Sequence, residues 1–540
     1  LERLKEQWMV WLGGISIGLA GIFMVRYSIE QGLLGPAARV ALSILSGLVL
    51  HGVAEWGRRY RGNYLAFAAL AGGASSMLYA ALLAALLLYQ LLPPWLVFAL
   101  LALVSLATMA LAVLHGPVLA ILGILGAYVV PLLVDTGSDS ILGLYGYSLI
   151  ITASAILLMH YVYRPWLWAY MLAGSLGWWF LSLTSPTADG FRGFYLFALA
   201  YLYLAMPTWD WLLRKADPPG TGGLKDAAWA RAKSVQQAPL VHSLVLVIIA
   251  FGLSILAEDS ITSAIYYWTP LVAVLLVAAG NRESLLWLPA LSLAVQGLAW
   301  FLLCLDLSTV FRLAGFTGPD QSQFLVYAGW MTFLYFSLSL RNLYSGARNF
   351  LWAVLAILVP LFWLALGYLL VTDLSESILW GTVSVVLGVI YLALAAWRVN
   401  LQDRESLISI HTQYAVWLIL AGHFAYSLAV AIMVREAGLT LALAAQLVSL
   451  AFVIQRFDQP KLGILLKVVL AIIVIRLTLN PWLLTYPSDL HWSLWTYGGA
   501  TALAATATWI LRGNVALRPW LEAASLHLLV LTLWAETRYQ

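Results

Sequence analysis

The sequence predicts an all-α polytopic integral membrane protein, and three observations carry that prediction. The 540-residue chain is 63% hydrophobic and only 10% charged, against about half and about a quarter in an average soluble domain. Apolar stretches of about 20 residues, the length a helix needs to cross a hydrocarbon layer about 30 Å thick, recur almost without pause. Lysine and arginine gather in every second connector, as multi-pass chains require. So much apolar side chain would leave a water-soluble fold too little polar surface to cover it. Backbone groups in lipid must be satisfied within the segment, so long uninterrupted apolar runs mean helices and not barrel strands.

About nineteen spans follow in order. The first nine are residues 8–26, 36–56, 64–89, 95–114, 118–134, 140–160, 165–183, 191–213 and 240–256. The remaining ten are 263–280, 284–305, 324–340, 349–371, 377–397, 410–434, 439–454, 462–479, 491–511 and 520–534. Gly35-Pro36 makes the first turn and starts the second span. Trp8, Trp56, Trp95, Trp166, Trp209, Trp397, Trp482 and Trp520 stand near span ends, as an interfacial aromatic belt does.

Positive loops stay cytoplasmic. With the N-terminus inside, the inner connectors hold about twenty of the 28 basic residues, from Arg3, Lys5, Arg58 and Arg59 through Arg512 and Arg518. Arg26, Arg39, Arg192, Arg312, Arg435 and Arg538 fall outside, and Lys467 and Arg476 lie within a span. One missed span would scramble this bias downstream. An odd number of spans then places the C-terminus outside, on the non-cytoplasmic side of the membrane.

The long inner connector 214–237 carries Pro218, Pro219 and a Gly-Thr-Gly-Gly run before a short surface helix with Trp229 at the headgroups. It divides the chain into an N-terminal membrane bundle, 1–213, of about eight spans and a C-terminal bundle, 238–540, of about eleven. Halves of unequal count give no clean inverted repeat of the kind many transporters show. The chain opens on Leu1 and not on Met, in a polar run to Gln7, so the expectation is a portion of a longer protein. The first apolar stretch is of full spanning length and has no small-residue cleavage site, so it is not a signal peptide.

A net charge of +4 with no basic run gives no footprint for nucleic acid. A single cysteine, Cys304, excludes an internal disulfide and a cysteine-based metal site. No P-loop, dinucleotide fingerprint, zinc motif or Cys/His cluster occurs, so no cofactor and no metal ligand is expected. Gly14-Ile15-Ser16-Ile17-Gly18 has the spelling of a hydrolase nucleophile elbow, but that motif needs a strand, a sharp turn and a helix. Mid-span, the same glycines are a close-packing G-x-x-x-G, and Gly123 with Gly126 and 498–505 have the same explanation. No catalytic residue is assigned. An intramembrane transferase of the lipid-sugar type would need paired acids in the first outer loop, which offers Glu30 alone. The other outer acids, among them Asp135, Asp139, Glu258, Asp259, Asp373 and Glu376, read as solvated connector charge.

Ionisable groups inside spans are the strongest functional clue, because each costs a few kcal/mol unless paired or hydrated. Lys467 and Arg476 share the span 462–479, and Asn480 lies one turn beyond Arg476, before Pro481. Four residues apart, Arg476 and Asn480 share a helical face and are expected to form a polar site facing the protein interior. His423 and His527 are mid-span; for them an imidazole bonded to a backbone carbonyl is the plain structural answer. Lys467 and Arg476 can alternatively snorkel to the two surfaces. Glu522 is placed to meet Arg518, one turn earlier. At the outer end of the first span, Arg26 is expected to pair with Glu30, or Glu30 with Arg39.

The run 25–30, with Arg26 and Glu30, and the run 35–39, with Pro36 and Arg39, resemble the N-terminal region of the bacterial predicted-membrane-protein family called domain of unknown function 2339. So do 126–131, ending in Pro131, and 476–481, with Arg476, Asn480 and Pro481. The likeness covers about 8–133 and 461–512. Members of that family are usually longer, with a polar N-terminal segment and further spans. The resemblance implies a many-spanning bacterial envelope protein and supplies no catalytic residues. Transport or translocation of a small or lipid-linked envelope molecule is the leading expectation, with Lys467, Arg476 and His423 lining a polar path. A non-catalytic envelope-assembly scaffold that binds membrane proteins or glycan machinery is the alternative. The partners expected are membrane lipids, a lipid-linked or anionic envelope ligand and a membrane protein.

Overall fold

The computed structural model describes residues 35–61, 65–134, 141–185, 188–213, 224–258, 261–306, 312–313, 321–344, 350–373, 375–402, 410–433, 437–457, 462–479, 491 and 493–539, with a few single positions before residue 35. Within these the chain consists of helices, short connectors and one short antiparallel pairing, in which β1 (Leu305–Asp306) meets β2 (Arg312–Leu313). Nine described helices are long and apolar enough to cross a membrane, and shorter apolar helices accompany them.

The first compact unit ends at Ala299. It comprises α1 (Pro36–Arg61), α2 (Leu65–Leu83), α3 (Pro94–His115), α4 (Pro117–Leu133), α5 (Ile141–Met159), α6 (Pro165–Leu181), α7 (Phe191–Ala205), α8 (Leu224–Ala257), α9 (Ile261–Asn281) and most of α10 (Leu288–Leu303). Proline opens α1, α3, α4 and α6, where the missing N–H costs no hydrogen bond and the fixed φ suits the first turn. A π-helical turn, Ala84–Leu88, carries α2 to its end. Between α3 and α4 the chain needs Gly116, whose φ of +99° few other residues adopt. Its N–H closes α3 on the Ala112 carbonyl at 2.8 Å.

Consecutive helices pair as hairpins from α1 to α4, and α5 to α9 then gather around α7. That helix packs on α5, α6, α8 and α9 and buries Tyr195, Leu196, Leu199, Ala200 and Tyr203. It is shorter than the expected span 191–213, because Met206 and Pro207 begin a 3-10 turn after Ala205 and the chain turns through Trp209, at φ +55°. After the Gly-rich linker, where a short surface helix is expected, the chain is instead one 34-residue helix, α8, that continues through Pro239.

The second unit starts at Trp300. It holds the end of α10, then α11 (Gln321–Tyr344), α12 (Phe350–Thr372), α13 (Ile378–Gln402), α14 (Ile410–Met433), α15 (Ala437–Phe457), α16 (Leu462–Thr478), α17 (Gly499–Ile510) and α18 (Arg518–Tyr539). Helices α13 and α14 approach closely at Gly388 and Gly422; a Cβ on Gly388 would stand 3.2 Å from the Gly422 carbonyl oxygen. Helices α15 to α18 enclose a core of Leu447, Leu450, Ile473, Tyr497, Ala504 and Leu528.

Candidate functional site

The charged cluster at the start of α7 forms the most constrained polar site among the described residues. Arg192 lies in the first helical turn with its side chain 1% exposed. A cation there opposes the helix dipole, so buried acceptors must hold it. Nη1 donates to Asp189 Oδ1 at 2.6 Å and to the Ala257 carbonyl at 3.4 Å. Nη2 donates to the carbonyls of Ser182 and Ser185 at 3.0 and 2.7 Å, and Nε donates to Ser182 at 3.3 Å. All five guanidinium N–H groups are thereby engaged.

Glu258, directly after α8, completes the cluster. Its side chain is fully buried, and Oε1 lies 3.3 Å from Arg192 Nη1. Oε2 accepts the Gly190 N–H at 2.9 Å. Gly190 has φ +77°, and a Cβ there would stand 3.0 Å from the Tyr267 ring, so glycine suits this position on both counts. Oε1 has no hydrogen bond. Burial pushes the Glu258 carboxyl up to about 7, opposed by the Gly190 N–H and Arg192, while nearby Asp189 pushes it the same way. The expectation that Glu258 is a solvated connector charge is therefore corrected. Arg192, which the charge distribution assigns to an outer connector, is buried as well, and an arginine in the first turn of an apolar helix signals a buried counter-charge; nothing in the sequence singles out Asp189.

Behind this cluster several hydroxyl groups of the first unit are paired in its core. Tyr145 donates to Ser182 Oγ at 2.6 Å and stacks on Tyr195 with ring centroids 4.2 Å apart. Tyr195 donates to the Ser175 carbonyl, and its hydroxyl also meets Ser148 Oγ at 2.7 Å. Tyr203 pairs with Ser175, and Tyr128 with Thr152, each at 2.7 Å. Past the other end of α7, Arg282 lies 3.7 Å from Asp210 and donates to the Leu204 carbonyl at 3.1 Å. Burial pulls the Arg282 guanidinium down, and Asp210 opposes that shift.

The residues singled out from the sequence fall in the second unit and at the chain start. His423, on α14, meets the Ser449 hydroxyl of α15 and not a backbone carbonyl, 3.0 Å from Nδ1. One turn on, Ser427 donates to Gln446 Oε1 at 2.9 Å. Arg476, on α16, donates through Nε to Thr440 Oγ1 of α15 at 3.1 Å, and Thr440 is 1% exposed. Lys467 Nζ stands 4.8 Å from the centre of the Trp520 ring, a cation–π contact beside a half-exposed indole. Arg518 donates to Glu522 at 2.7 Å, the pair the spacing foretells. His527 meets Thr478 Oγ1 at 3.0 Å. Arg26, Glu30 and Asn480 lie outside the described residues; Arg39 is half-buried in the first turn of α1. Among the described residues no three His, Cys, Asp or Glu side chains are grouped to hold a metal ion.

No curated protein and no solved structure matches the chain. One family model, that of "Predicted membrane protein (DUF2339)", matches residues 5–540. Given this nearly full-length match, and helices of spanning length in both units, the chain belongs to the DUF2339 family of predicted membrane proteins.

Proposed function

We propose that this protein is a multi-pass bacterial inner-membrane protein that moves a small or lipid-linked envelope molecule, with about nineteen spans and a cytoplasmic N-terminus. The observation that supports the reading is the polar side chains on the two faces of α15 against which α14 and α16 pack. His423 and Ser427 meet Ser449 and Gln446 on one side of α15, and Arg476 meets Thr440 on another. Polar groups at spanning depth are costly and gather where a path or a bound polar molecule repays them. Arginine offers a planar fork suited to a carboxylate or phosphate, and histidine can give or take a proton near neutral pH. The transferase reading needs paired acids in the first outer loop, where the sequence offers Glu30 alone.

Cysteine accessibility tests the proposal. In a Cys304→Ser background, Ser427→Cys and Ser449→Cys are expected to react with a charged, membrane-impermeant thiol reagent in membranes. A co-purifying anionic lipid or glycan should diminish when Arg476→Ala replaces the fork and persist in part with Arg476→Lys. If both cysteines are inert from both sides and nothing co-purifies, the helices form a solid bundle and a scaffold role takes the place of transport.

A further inference from the structure

We propose that Glu258 is a proton-binding site that clasps the start of α7 against the end of α8, closed when the proton is bound and opened when it leaves. Four observations carry this. First, the Glu258 side chain is fully buried although it stands in a connector. Second, the guanidinium beside it is already committed: Asp189 and the carbonyls of Ser182, Ser185 and Ala257 take its five N–H groups, leaving Glu258 a charge contact at 3.3 Å. Third, Oε1 has no hydrogen-bond partner, so a buried carboxylate oxygen is left where a proton would remove the charge. Fourth, Oε2 takes the N–H of a glycine whose φ is +77°, so the carboxyl is held by backbone on one side only.

The groups facing the carboxyl point to a proton and to no other ligand. Asp189 and Arg192 come from the start of α7, and Tyr145 of α5 stands within electrostatic reach of both Arg192 and Glu258. From α9, Tyr267 packs its ring on Gly190. Asp259 is outside the described residues. An anion would find no free guanidinium donor. A metal cation would have to displace Arg192 from between two carboxylates.

Two carboxylates around one cation leave the cluster with an excess negative charge when both are ionised, and the more buried one is the group that takes up a proton. Proton uptake from water turns the Glu258 carboxylate into a neutral carboxyl, which a closed, dry site holds more readily than the ion. Loss of that proton to water leaves a buried anion that gains by becoming hydrated. Hydration requires Gly190 and Arg192 to part from Glu258, so deprotonation opens the start of the central helix of the unit.

Hydrogen exchange of the purified protein in lipid nanodiscs tests the clasp. Exchange in a peptide spanning 188–193 is followed from pH 5.5 to 8.5, corrected for intrinsic rates, with a peptide at 205–213 as internal control. Protection around Gly190 is expected to fall with rising pH, by up to roughly a hundredfold for a carboxyl whose affinity for the proton differs by about two units between closed and open forms. The control peptide is expected to stay level, and exchanging sodium for choline should change nothing. Glu258→Gln, a permanently neutral side chain of the same shape, is expected to stay protected at every pH. Asp189→Asn should shift the midpoint downward by freeing the guanidinium for Glu258. A level profile in the unmodified protein, a parallel fall in the control peptide, or an unchanged profile in Glu258→Gln would each overturn the proposal. A profile that follows sodium and not pH would overturn it as well.

Discussion

Arg192 Nη1 and Glu258 Oε1 stand 3.3 Å apart, with both side chains shut away from solvent, although the sequence places both residues at connector ends. The pair joins the start of α7 to the end of α8, and Asp189 joins the same guanidinium at 2.6 Å. Carboxylates suit this place because the N-terminus of α7 presents its unpaired N–H groups there. The arginine is the group out of keeping with the dipole, so its acceptors hold it in place.

Removing the cation should therefore cost more than removing a surface charge. Arg192→Met leaves Asp189 and Glu258 facing each other and several carbonyls without a donor, an expected loss of about 3–5 kcal/mol. Arg192→Lys keeps the charge, but its three N–H groups replace five, so it should recover only part of the loss. Thermal unfolding in detergent measures both. Equal stability of the methionine variant and the parent would show that the cluster does not hold α7.

The pH dependence has a definite sign. The Glu258 carboxyl stands at about 7 against an ordinary 4.5, so the folded chain holds this proton more tightly than the unfolded chain does. Its stabilising contribution is complete below about pH 4.5 and is lost as pH rises toward 7, on the order of 3 kcal/mol in all. Glu258→Gln should flatten that part of the stability profile and leave the variant more stable than the parent above pH 7. Unfolding curves collected at half-unit pH steps would show it; a variant that keeps the parent's slope would assign the proton elsewhere.

Close packing at Gly123 should be selective. A Cβ there would meet Met109 Cγ at 2.7 Å and the Met109 backbone nitrogen at 2.9 Å, whereas a Cβ on Gly146 meets nothing within 4 Å. Gly123→Ala is expected to cost about 1–3 kcal/mol through strain between α3 and α4. Gly146→Ala should be neutral or slightly stabilising, because alanine favours the helix. Melting temperatures of the two variants, measured side by side, decide the matter, and equal shifts would show that α3 and α4 are not in contact at Gly123.

Membrane topology can be read from two connectors. Single cysteines introduced at 225 and 318 in a Cys304→Ser background should label from opposite sides, the first from the cytoplasm. Labelling of both from one face would refute the span count between them.

The sequence by itself determined the class of the molecule. Its apolar runs have no other solvent than lipid and no other spanning form than the helix, and proline set the starts of α1, α3, α4 and α6. The Arg518–Glu522 contact was legible too, because residues four apart on a helix are neighbours whatever surrounds them. Partners distant in sequence were not legible. Arg192 and Glu258 are 66 residues apart, and His423 and Ser449 are 26 apart. Nothing in local spacing says which loop acid is buried and which is solvated. Only the convergence of α7 and α8 closes water out around Glu258, and that exclusion turns an ordinary connector carboxylate into a group that holds a proton near neutral pH.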